Sequence, residues 1–435
     1  MGSDSTMPLS VEALRQENSR LKRAVEELSI LNDLARAIGS SYNSQEIMQT
    51  IIRRSLRAME AEQGVITLVD RKEDQPMVTL VRTMVSSHDR QQFHFNQALL
   101  GWMQLNKKPL LVNNPSFDER FRGVRWDEQI HSFLCVPMMV KSELTGVLTV
   151  YNKKDRLAFT DDDQRLLAII AAQSAQIVEN ARLLEEQQEY IKMQEQLALA
   201  AKIQAELLPR EFPKLPGYEI AGRNIPAQVV GGDYFDFVAM DDGRWSVCLG
   251  DVSGKGLPAS LLMANTQATL RSQALLGSPP QQSIERANTL LYRSTGPDKF
   301  VTLFYGILDP TNHQLSYCNA GHDNPFLVRK TGDVQRLGTG GLVLSIMESS
   351  TYEEEAIPLD PGDVVVLYSD GITESMNSEQ EQFGEQRLLS VLQEHRALSA
   401  PDLLEKIVHA ARHHAGKEPQ ADDMTVVVVK RAESR

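Results

Sequence analysis

The sequence has few cysteines and no long apolar run. Its 435 residues include three cysteines, Cys135, Cys248 and Cys318, which stand far apart within apolar segments. This usage excludes a disulfide framework and a thiolate metal site, and it is typical of buried thiols in a reducing compartment. No apolar stretch approaches the roughly 20 residues of a membrane span, and the N-terminus lacks the basic and apolar regions of a signal peptide. We therefore expect a soluble, cytoplasmic protein without a membrane partner.

Positive charge is scarce relative to negative charge. The chain carries 58 acidic and 45 basic side chains, a formal net charge of -13, and its basic residues form no cluster. A nucleic-acid partner is therefore not expected, because a phosphate backbone needs a basic surface. Hydrophobic residues make up 42% and charged residues 24% of the chain, as in ordinary globular proteins. At roughly 150 residues per domain, the length indicates two or three domains.

The N-terminal segment, residues 1–28, has a short heptad pattern. Leu14, Leu21 and Leu28 recur every seven residues, and the polar Asn18 occupies a companion position. A single polar residue at such a position fixes the register of two-stranded coiled coils. The pattern predicts either a coiled coil that joins two copies of the chain or an amphipathic helix packed on its own domain, and both interpretations stay open.

Residues 29–180 mix helical and strand patterns. A strand, a polar turn and a second strand follow one another over residues 133–151, which indicates an antiparallel sheet flanked by helices. We expect a compact α/β domain here. Its predicted elements are a helix over 46–59 and strands over 64–70, 77–85, 133–140 and 144–151.

Residues 160–208 predict one long helix. Thr160 is an N-cap followed by three aspartates, and no glycine or proline occurs before Pro209. Apolar residues at heptad spacing, with poor companions, indicate a weakly held coiled coil. A weakly held coiled coil between two domains is what a signalling helix needs in order to change register. The same pattern is equally consistent with a passive spacer between the domains. The heptad positions are Ile170, Ile177, Leu184, Ile191 and Ala198.

Residues 209–432 form a second domain of strand and helix units, in which aspartates occur at the ends of apolar strands four times. A single strand-end aspartate is usually a turn former. Four of them that meet at one sheet edge would repel each other and raise their pKa values, and a pair of divalent cations removes that cost. The aspartates concerned are Asp233, Asp251, Asp370 and the pair Asp422-Asp423.

Carboxylate ligands select hard cations such as Mg²⁺ or Mn²⁺ over zinc. Two such ions about 4 Å apart activate a water and hold phosphoryl oxygens in line for displacement. The residues therefore predict a two-ion Mn²⁺ or Mg²⁺ centre and the hydrolysis of a phosphate ester.

Eight separated motifs in the second domain resemble, in order, the sporulation stage-II-E type of metal-dependent serine/threonine phosphatase, of the PPM superfamily. The resemblance covers residues 200–432 and implies an αββα sandwich with a two-metal centre. The motifs are IQAELLP, GGDYFDF, GDVSGKGLPASLLMA, FVTLF, NAGHDNP, GDVVVLYSDGITE, FG and ADDMT.

The resemblance also implies a ligand set. Asp251 would bridge both metals, and the carbonyl of Val252 would help to hold one of them. Asp370 and one of the pair Asp422 and Asp423 would complete the shell of the other metal. Asp233 would bind directly or through water. Alignment with the superfamily's Asp-Asn pair favours Asp422 as the ligand, with Asp423 in place of the asparagine.

Two features of eukaryotic superfamily members are missing. Their Asp-Gly-His motif, whose histidine is a proposed general acid, corresponds here to Asp251-Val252-Ser253. Protonation of the leaving oxygen must then come from water or from another group. No counterpart of their phosphate-binding arginine is found, and Lys255 is the candidate for substrate binding. The stage-II-E type commonly lacks both features.

The segment from Ile30 to Leu184 resembles a GAF domain. Asn152-Lys153, Phe159 and Asp163 partly match the N-K-F-D-E motif of cyclic-nucleotide-binding members, with Gln164 in place of the glutamate. That motif is structural in the family, so a different small molecule or a protein input is favoured over a cyclic nucleotide. A purely dimerising GAF domain is a further alternative.

Together these patterns predict an α+β multidomain protein: a GAF-like sensor, a long connecting helix and a PPM-type phosphatase domain. We expect a signal-regulated protein serine/threonine phosphatase that acts as a homodimer. The resemblance implies a phosphorylated anti-sigma-factor antagonist as substrate, in a partner-switching pathway. The alternative is a non-catalytic sensor and scaffold with a degenerate docking domain, but all the expected aspartates are present.

Overall fold

The computed structural model of the chain describes residues 44–69, 78–84, 97–296 and 298–433, together with Asn18. The described residues form two compact units, which divide between Lys192 and Met193. None of the helices in these ranges is both long enough and apolar enough to cross a membrane. The predicted coiled coil over 1–28 lies, apart from Asn18, outside the described residues.

The first unit is built on an antiparallel sheet. Its strands are β1 (Ala61–Val69), β2 (Val78–Met84), β3 (Leu110–Val112), β4 (Phe133–Val140) and β5 (Glu143–Lys153). They lie in the order β2-β1-β5-β4-β3. The helices of this unit are α1 (Ser44–Met59), α2 (Gln97–Asn106) and the first part of α3 (Asp161–Leu207), with 3-10 turns at Pro115–Phe117, Glu119–Phe121 and Lys154–Arg156.

Both faces of this sheet are covered, because successive side chains of a strand point to opposite sides. In β5, Leu148 and Val150 belong to a core with α1 and α3. Their neighbours Val147 and Tyr151 belong to a second core on the other face, with α2. A strand buried on both faces can carry apolar residues at successive positions, as Val147-Leu148 and Val150-Tyr151 do here.

Helix α3 changes its surroundings along its length. Ile170 is buried in the core of the first unit, and Ile177 packs against that core. Leu184 and Ile191, the next two heptad positions, are each 45% exposed. The first two positions of the predicted coiled-coil seam are therefore used inside their own domain, and the exposed part of the seam begins beyond Ala181.

The second unit contains two sheets. The strands of the first sheet are β7 (Tyr234–Ala239), β8 (Trp245–Val252), β9 (Val301–Asp309), β10 (Gln314–Ala320), β13 (Gly340–Gly341) and β14 (Glu355–Pro358). Their order is β13-β10-β9-β8-β7, with β14 paired to β10. The strands of the second sheet are β6 (Tyr218–Ile225), β11 (Phe326–Val328), β12 (Val334–Arg336), β15 (Val364–Tyr368) and β16 (Met424–Arg431), in the order β12-β11-β15-β16-β6.

Helices cover the outer face of each sheet. The first sheet is covered by α4 (Leu257–Leu275) and α5 (Pro280–Ser294), and the second by α7 (Gly384–His395) and α8 (Ala400–Ala415). A single helical turn, α6 (Asp370–Thr373), follows β15. In β15, Val365 and Leu367 lie in the core between the sheets. Val364 and Val366 lie in the core beneath α7 and α8. The result is the αββα sandwich that the resemblance implied.

Candidate active site

The sandwich brings the predicted aspartates to one end of both sheets. Asp233 immediately precedes β7, and Asp251 lies near the end of β8. These two strands are antiparallel neighbours, and Tyr234 pairs with Gly250, so the two aspartates lie at the same end of the first sheet. In the second sheet, the end of β15 lies beside the start of β16, where Tyr368 pairs with Val426. This pairing brings Asp370, two residues beyond Tyr368, to the same end as the pair before β16.

Hydrogen bonds join the two sheets at this end. Thr425 of β16 donates from Oγ1 to Oδ2 of the buried Asp233, at 2.5 Å. Asp423 accepts from the amide of Ala227 at Oδ1, at 2.8 Å, and from the amide of Gly232 at Oδ2, at 2.7 Å. The carboxylate of Asp423 therefore holds the loop that leads to Asp233.

Two glycines allow these loops to approach closely. A Cβ on Gly231 would lie 2.1 Å from Oδ2 of Asp423. A Cβ on Gly232 would lie 2.9 Å from the carbonyl oxygen of Val252 and 3.4 Å from Oδ1 of Asp251. A side chain at position 232 would therefore crowd the carbonyl of Val252 and the carboxyl of Asp251, so glycine is required there.

The carboxyl groups at this end are hard to ionise. Burial and the nearby Asp370 raise the pKa of Asp251 to about 7. Burial and the nearby Asp251 raise the pKa of Asp233 well above its usual range. Burial and the nearby Asp422 raise the pKa of Asp370 to about 6. Burial and mutual proximity thus disfavour the ionised form of these three carboxyl groups.

Asp422 and Asp423 have different partners, although they are adjacent in sequence. Asp422 forms an ion pair with Lys255, whose Nζ lies 2.8 Å from its Oδ2. Lys255 also donates to the carbonyl of Ala421 at 2.8 Å, and its side chain is half exposed. Both oxygens of the Asp423 carboxylate accept hydrogen bonds from backbone amides. Oδ1 of Asp422 accepts from the amide of Asp423 at 2.9 Å, so Oδ2, paired with the half-exposed lysine, is the oxygen more open to a cation.

The carboxyl groups of Asp233, Asp422 and Asp423 have partners within the protein. Within the described ranges, no three acidic, imidazole or thiol side chains are grouped closely enough to hold a metal ion as they stand. The carboxyl of Asp233 accepts from the hydroxyl of Thr425, and the nearby Asp251 raises the pKa of Asp233.

The donor set nevertheless fits Mn²⁺ or Mg²⁺. It consists of carboxylate and carbonyl oxygens, which these ions prefer, and the glycine at 232 leaves room beside two of them. The predicted ligands Asp233, Asp251, Val252 and Asp370 lie at one end of the sandwich. Asp422 lies near Asp251 and Asp370 and is paired with Lys255. The assignment of each residue as a ligand stays a prediction.

Sequence reasoning missed two residues of this site. A cavity of about 80 Å³ is lined by Asp251, Thr302, Gly321, His322, Asp323 and Asp370. Asp323 follows β10 in the motif NAGHDNP and is itself a strand-end aspartate, so the signal used for the other four could have found it. Burial raises its pKa, and Glu385 and Glu374 add to the effect. His322 is buried, and its burial lowers its pKa to about 4.

The first unit has a polar cavity of its own, of about 630 Å³. Its lining includes Glu62, Glu128, His131, Lys153 and Arg156. The N-K-F-D-E-like residues beside it make structural contacts. Lys153 pairs with Asp163 at 2.6 Å, and Asn152 accepts from the amide of His131 at 2.8 Å.

Comparison with known proteins agrees with both halves of the fold. The family model described as stage II sporulation protein E matches residues 241–432, and a GAF domain model matches residues 41–179. Phosphoserine phosphatase RsbU of Bacillus subtilis is 29% identical over 241 residues, which cover 55% of this chain and 71% of RsbU. Protein IcfG of Synechocystis is 28% identical over 263 residues, 54% of this chain and 41% of IcfG.

Among solved structures, the SiaA-PP2C domain of Pseudomonas aeruginosa aligns with a TM-score of 0.49 and 22% identity, over 56% of this chain and 97% of that domain. The stretch that the stage II sporulation protein E model matches, residues 241–432, lies within the unit that forms the αββα sandwich with its acidic end. The stretch that the GAF domain model matches, residues 41–179, lies within the first unit.

Proposed function

We propose that this chain is a signal-regulated phosphatase that removes phosphate from phosphoserine or phosphothreonine in a protein substrate. The observation that carries the proposal is the meeting of Asp233, Asp251 and Asp370 from two sheets, with pKa values raised by burial and by one another. Folding such a cluster is unfavourable without a compensating cation, and raised pKa values of this kind are typical of functional sites.

We further propose that Asp251, Asp370 and Asp422 hold two Mn²⁺ or Mg²⁺ ions, helped by Asp233 and the carbonyl of Val252. When bound, such an ion pair supplies a nucleophilic water at neutral pH and neutralises charge on the phosphoryl oxygens. Asp423 keeps the loop before Asp233 in place through its bonds to the amides of that loop.

Lys255 is the proposed contact for the substrate phosphate. Its ammonium group is half exposed and lies beside Asp422, at the edge of the acidic site. If Asp422 served as a metal ligand, the ammonium would keep its bond to the carbonyl of Ala421 and could turn its other donors to a phosphoryl oxygen. A lysine serves this purpose as a point charge, whereas an arginine would bind in a bidentate manner.

For the substrate, we propose a phosphorylated anti-sigma-factor antagonist in a partner-switching pathway, on the basis of the family resemblance. The proposed input is a small molecule or a protein that acts on the GAF domain. Leu184 and Ile191, exposed on α3, support the proposal that two copies of the chain pair along this helix.

The end of α3 offers a route for control of the site. Gln204 donates from Nε2 to the carbonyl of Gly231 at 2.6 Å and accepts from the amide of Gly231 at Oε1, at 3.0 Å. Gly231 stands two residues before Asp233. We propose that movement of α3, the helix of the predicted linker over 160–208, changes the position of this loop and thereby the affinity of the site for metal.

The proposal is tested by hydrolysis of a phosphoserine peptide by the full chain, with Mn²⁺ and with EDTA. We expect turnover with Mn²⁺ only, and a loss of orders of magnitude in Asp251→Asn. Asp241→Asn is the matched control, because Asp241 is exposed at the other end of the same hairpin. Undiminished turnover in Asp251→Asn, or in EDTA, would refute the two-ion assignment. Absence of turnover in the unaltered chain would favour the scaffold alternative.

A further inference from the structure

His322 lies where the two sheets of the sandwich meet at the acidic end. It follows β10, which belongs to the sheet of Asp251, and it is 6% exposed. Its backbone amide donates to Oδ1 of Asn319 at 2.8 Å, so the loop holds the ring in a fixed position. The ring lines the same cavity as Asp251 and Asp370.

Both ring nitrogens of His322 have hydrogen-bond partners. Nε2 lies 3.2 Å from the carbonyl oxygen of Tyr368, and Nδ1 lies 2.9 Å from Oγ1 of Thr302. A carbonyl oxygen can only accept, so Nε2 carries the hydrogen, and Nδ1 of the neutral ring accepts from the hydroxyl of Thr302. Neither nitrogen is left to give a proton to a leaving group.

These two partners stand next to the two aspartates. Thr302 of β9 is the cross-strand neighbour of Asp251 in β8. Tyr368 ends β15, two residues before Asp370. The imidazole of His322 therefore connects the strand beside Asp251, in one sheet, with the strand that leads to Asp370, in the other.

We propose that His322 is a positioning residue that sets the separation between Asp251 and Asp370, and through it the affinity of the site for divalent cations. The inference rests on the proposed function, since it concerns the same metal centre. Partners of this kind, one shell removed from the ligands, typically change metal affinity by 10- to 100-fold when they are replaced.

Two substitutions of His322 each remove one of the two hydrogen bonds of its ring, either the one with Thr302 or the one with Tyr368. In His322→Gln the amide reaches the position of Nε2 and keeps a donor for Tyr368, but Thr302 loses its acceptor. In His322→Asn the amide reaches the position of Nδ1 and keeps an acceptor for Thr302, but the carbonyl of Tyr368 loses its donor. If the connection needs both ends, each variant will bind Mn²⁺ roughly 10- to 100-fold more weakly than the unaltered chain.

The measurement is the dissociation constant for Mn²⁺, taken from the electron paramagnetic resonance signal of the free ion, which does not depend on turnover. Unfolding by urea in EDTA, measured in parallel, separates weak binding from poor folding. His409→Gln, at an exposed histidine of α8, is the matched control and should bind Mn²⁺ as the unaltered chain does. Turnover of the His322 variants should recover when Mn²⁺ is raised in proportion to the loss of affinity.

The hydroxyl of Thr302 gives a second test, should the histidine variants not fold. Thr302→Val should weaken Mn²⁺ binding as His322→Gln does, Thr302→Ser should restore it, and the double variant Thr302→Val with His322→Gln should be no weaker than either single variant. Affinities within twofold of the unaltered chain would overturn the inference on His322 alone. If the unaltered chain binds no Mn²⁺, the proposed function fails as well.

Discussion

Binding of Mn²⁺ should release protons, because the cation and the protons compete for the same carboxyl groups. At pH 6.5, a pKa of about 7 leaves Asp251 about three-quarters protonated, and a pKa of about 6 leaves Asp370 about one-quarter protonated. Metal binding therefore displaces about one proton from these two groups. Asp233, whose pKa is also raised by burial and by the nearby Asp251, adds to the release.

The sign of the pH dependence follows from the same values. Raising the pH removes the competing protons, so the affinity for Mn²⁺ should increase between about pH 5 and pH 8. The contribution of Asp251 and Asp370 to proton release should fall from about one at pH 6.5 to about 0.1 at pH 8. For the metal-free protein, raised carboxyl pKa values mean that the folded state binds more protons than the unfolded state. Its stability should therefore fall as the pH rises from about 4 to about 7.

The assay is isothermal titration of the metal-free chain with MnCl₂ in two buffers of different ionisation enthalpy, at pH 6.5 and at pH 8. The difference in observed enthalpy between the buffers gives the number of protons released. We expect at least about one proton at pH 6.5, from Asp251 and Asp370 together. Proton release near zero at pH 6.5 would refute the view that the carboxyls at this site are held protonated.

Three further substitutions, with one control, test the roles of individual side chains. Asp423→Asn replaces one of the two oxygens that accept from Ala227 and Gly232, so it should destabilise the metal-free domain by about 2 kcal/mol in urea unfolding. Asp422→Asn should leave that stability nearly unchanged and should weaken Mn²⁺ binding. The reverse pattern would make Asp423 the ligand. Gln204→Ala removes two hydrogen bonds to Gly231 and should raise the Mn²⁺ concentration needed for half-maximal turnover, by up to about 30-fold. Lys202→Ala, at an exposed position of the same helix, is its control, and equal effects of the two would contradict a route through Gln204.

The strands were predictable from the sequence because burial on both faces leaves a continuous apolar run, as in β4, whose bounds match the prediction of 133–140. The start of β1 was predicted at Gly64 but lies at Ala61. Gly64 stands inside the strand because α1 crosses it closely: a Cβ there would lie 2.8 Å from Ile52. A glycine that permits close packing was thus taken for the boundary of a strand.

The aspartates of the site could be found from sequence because each follows an apolar strand, and strand ends meet at sheet edges. Their partners could not be found in this way. The pairing of Lys255 with Asp422 joins loops 167 residues apart, and the pairing of Thr302 with His322 depends on the register of two strands. The different roles of Asp422 and Asp423 depend on which of them faces the loop over 227–233, and that is a property of the tertiary structure.

Anomalous diffraction at the manganese edge, from crystals of the full chain grown with MnCl₂, tests the two-ion centre most directly. The account predicts two peaks about 4 Å apart, both within bonding distance of the carboxylate of Asp251, with Asp422 released from Lys255. Crystals without a peak between Asp251 and Asp370, in which Lys255 still pairs with Asp422, would contradict it.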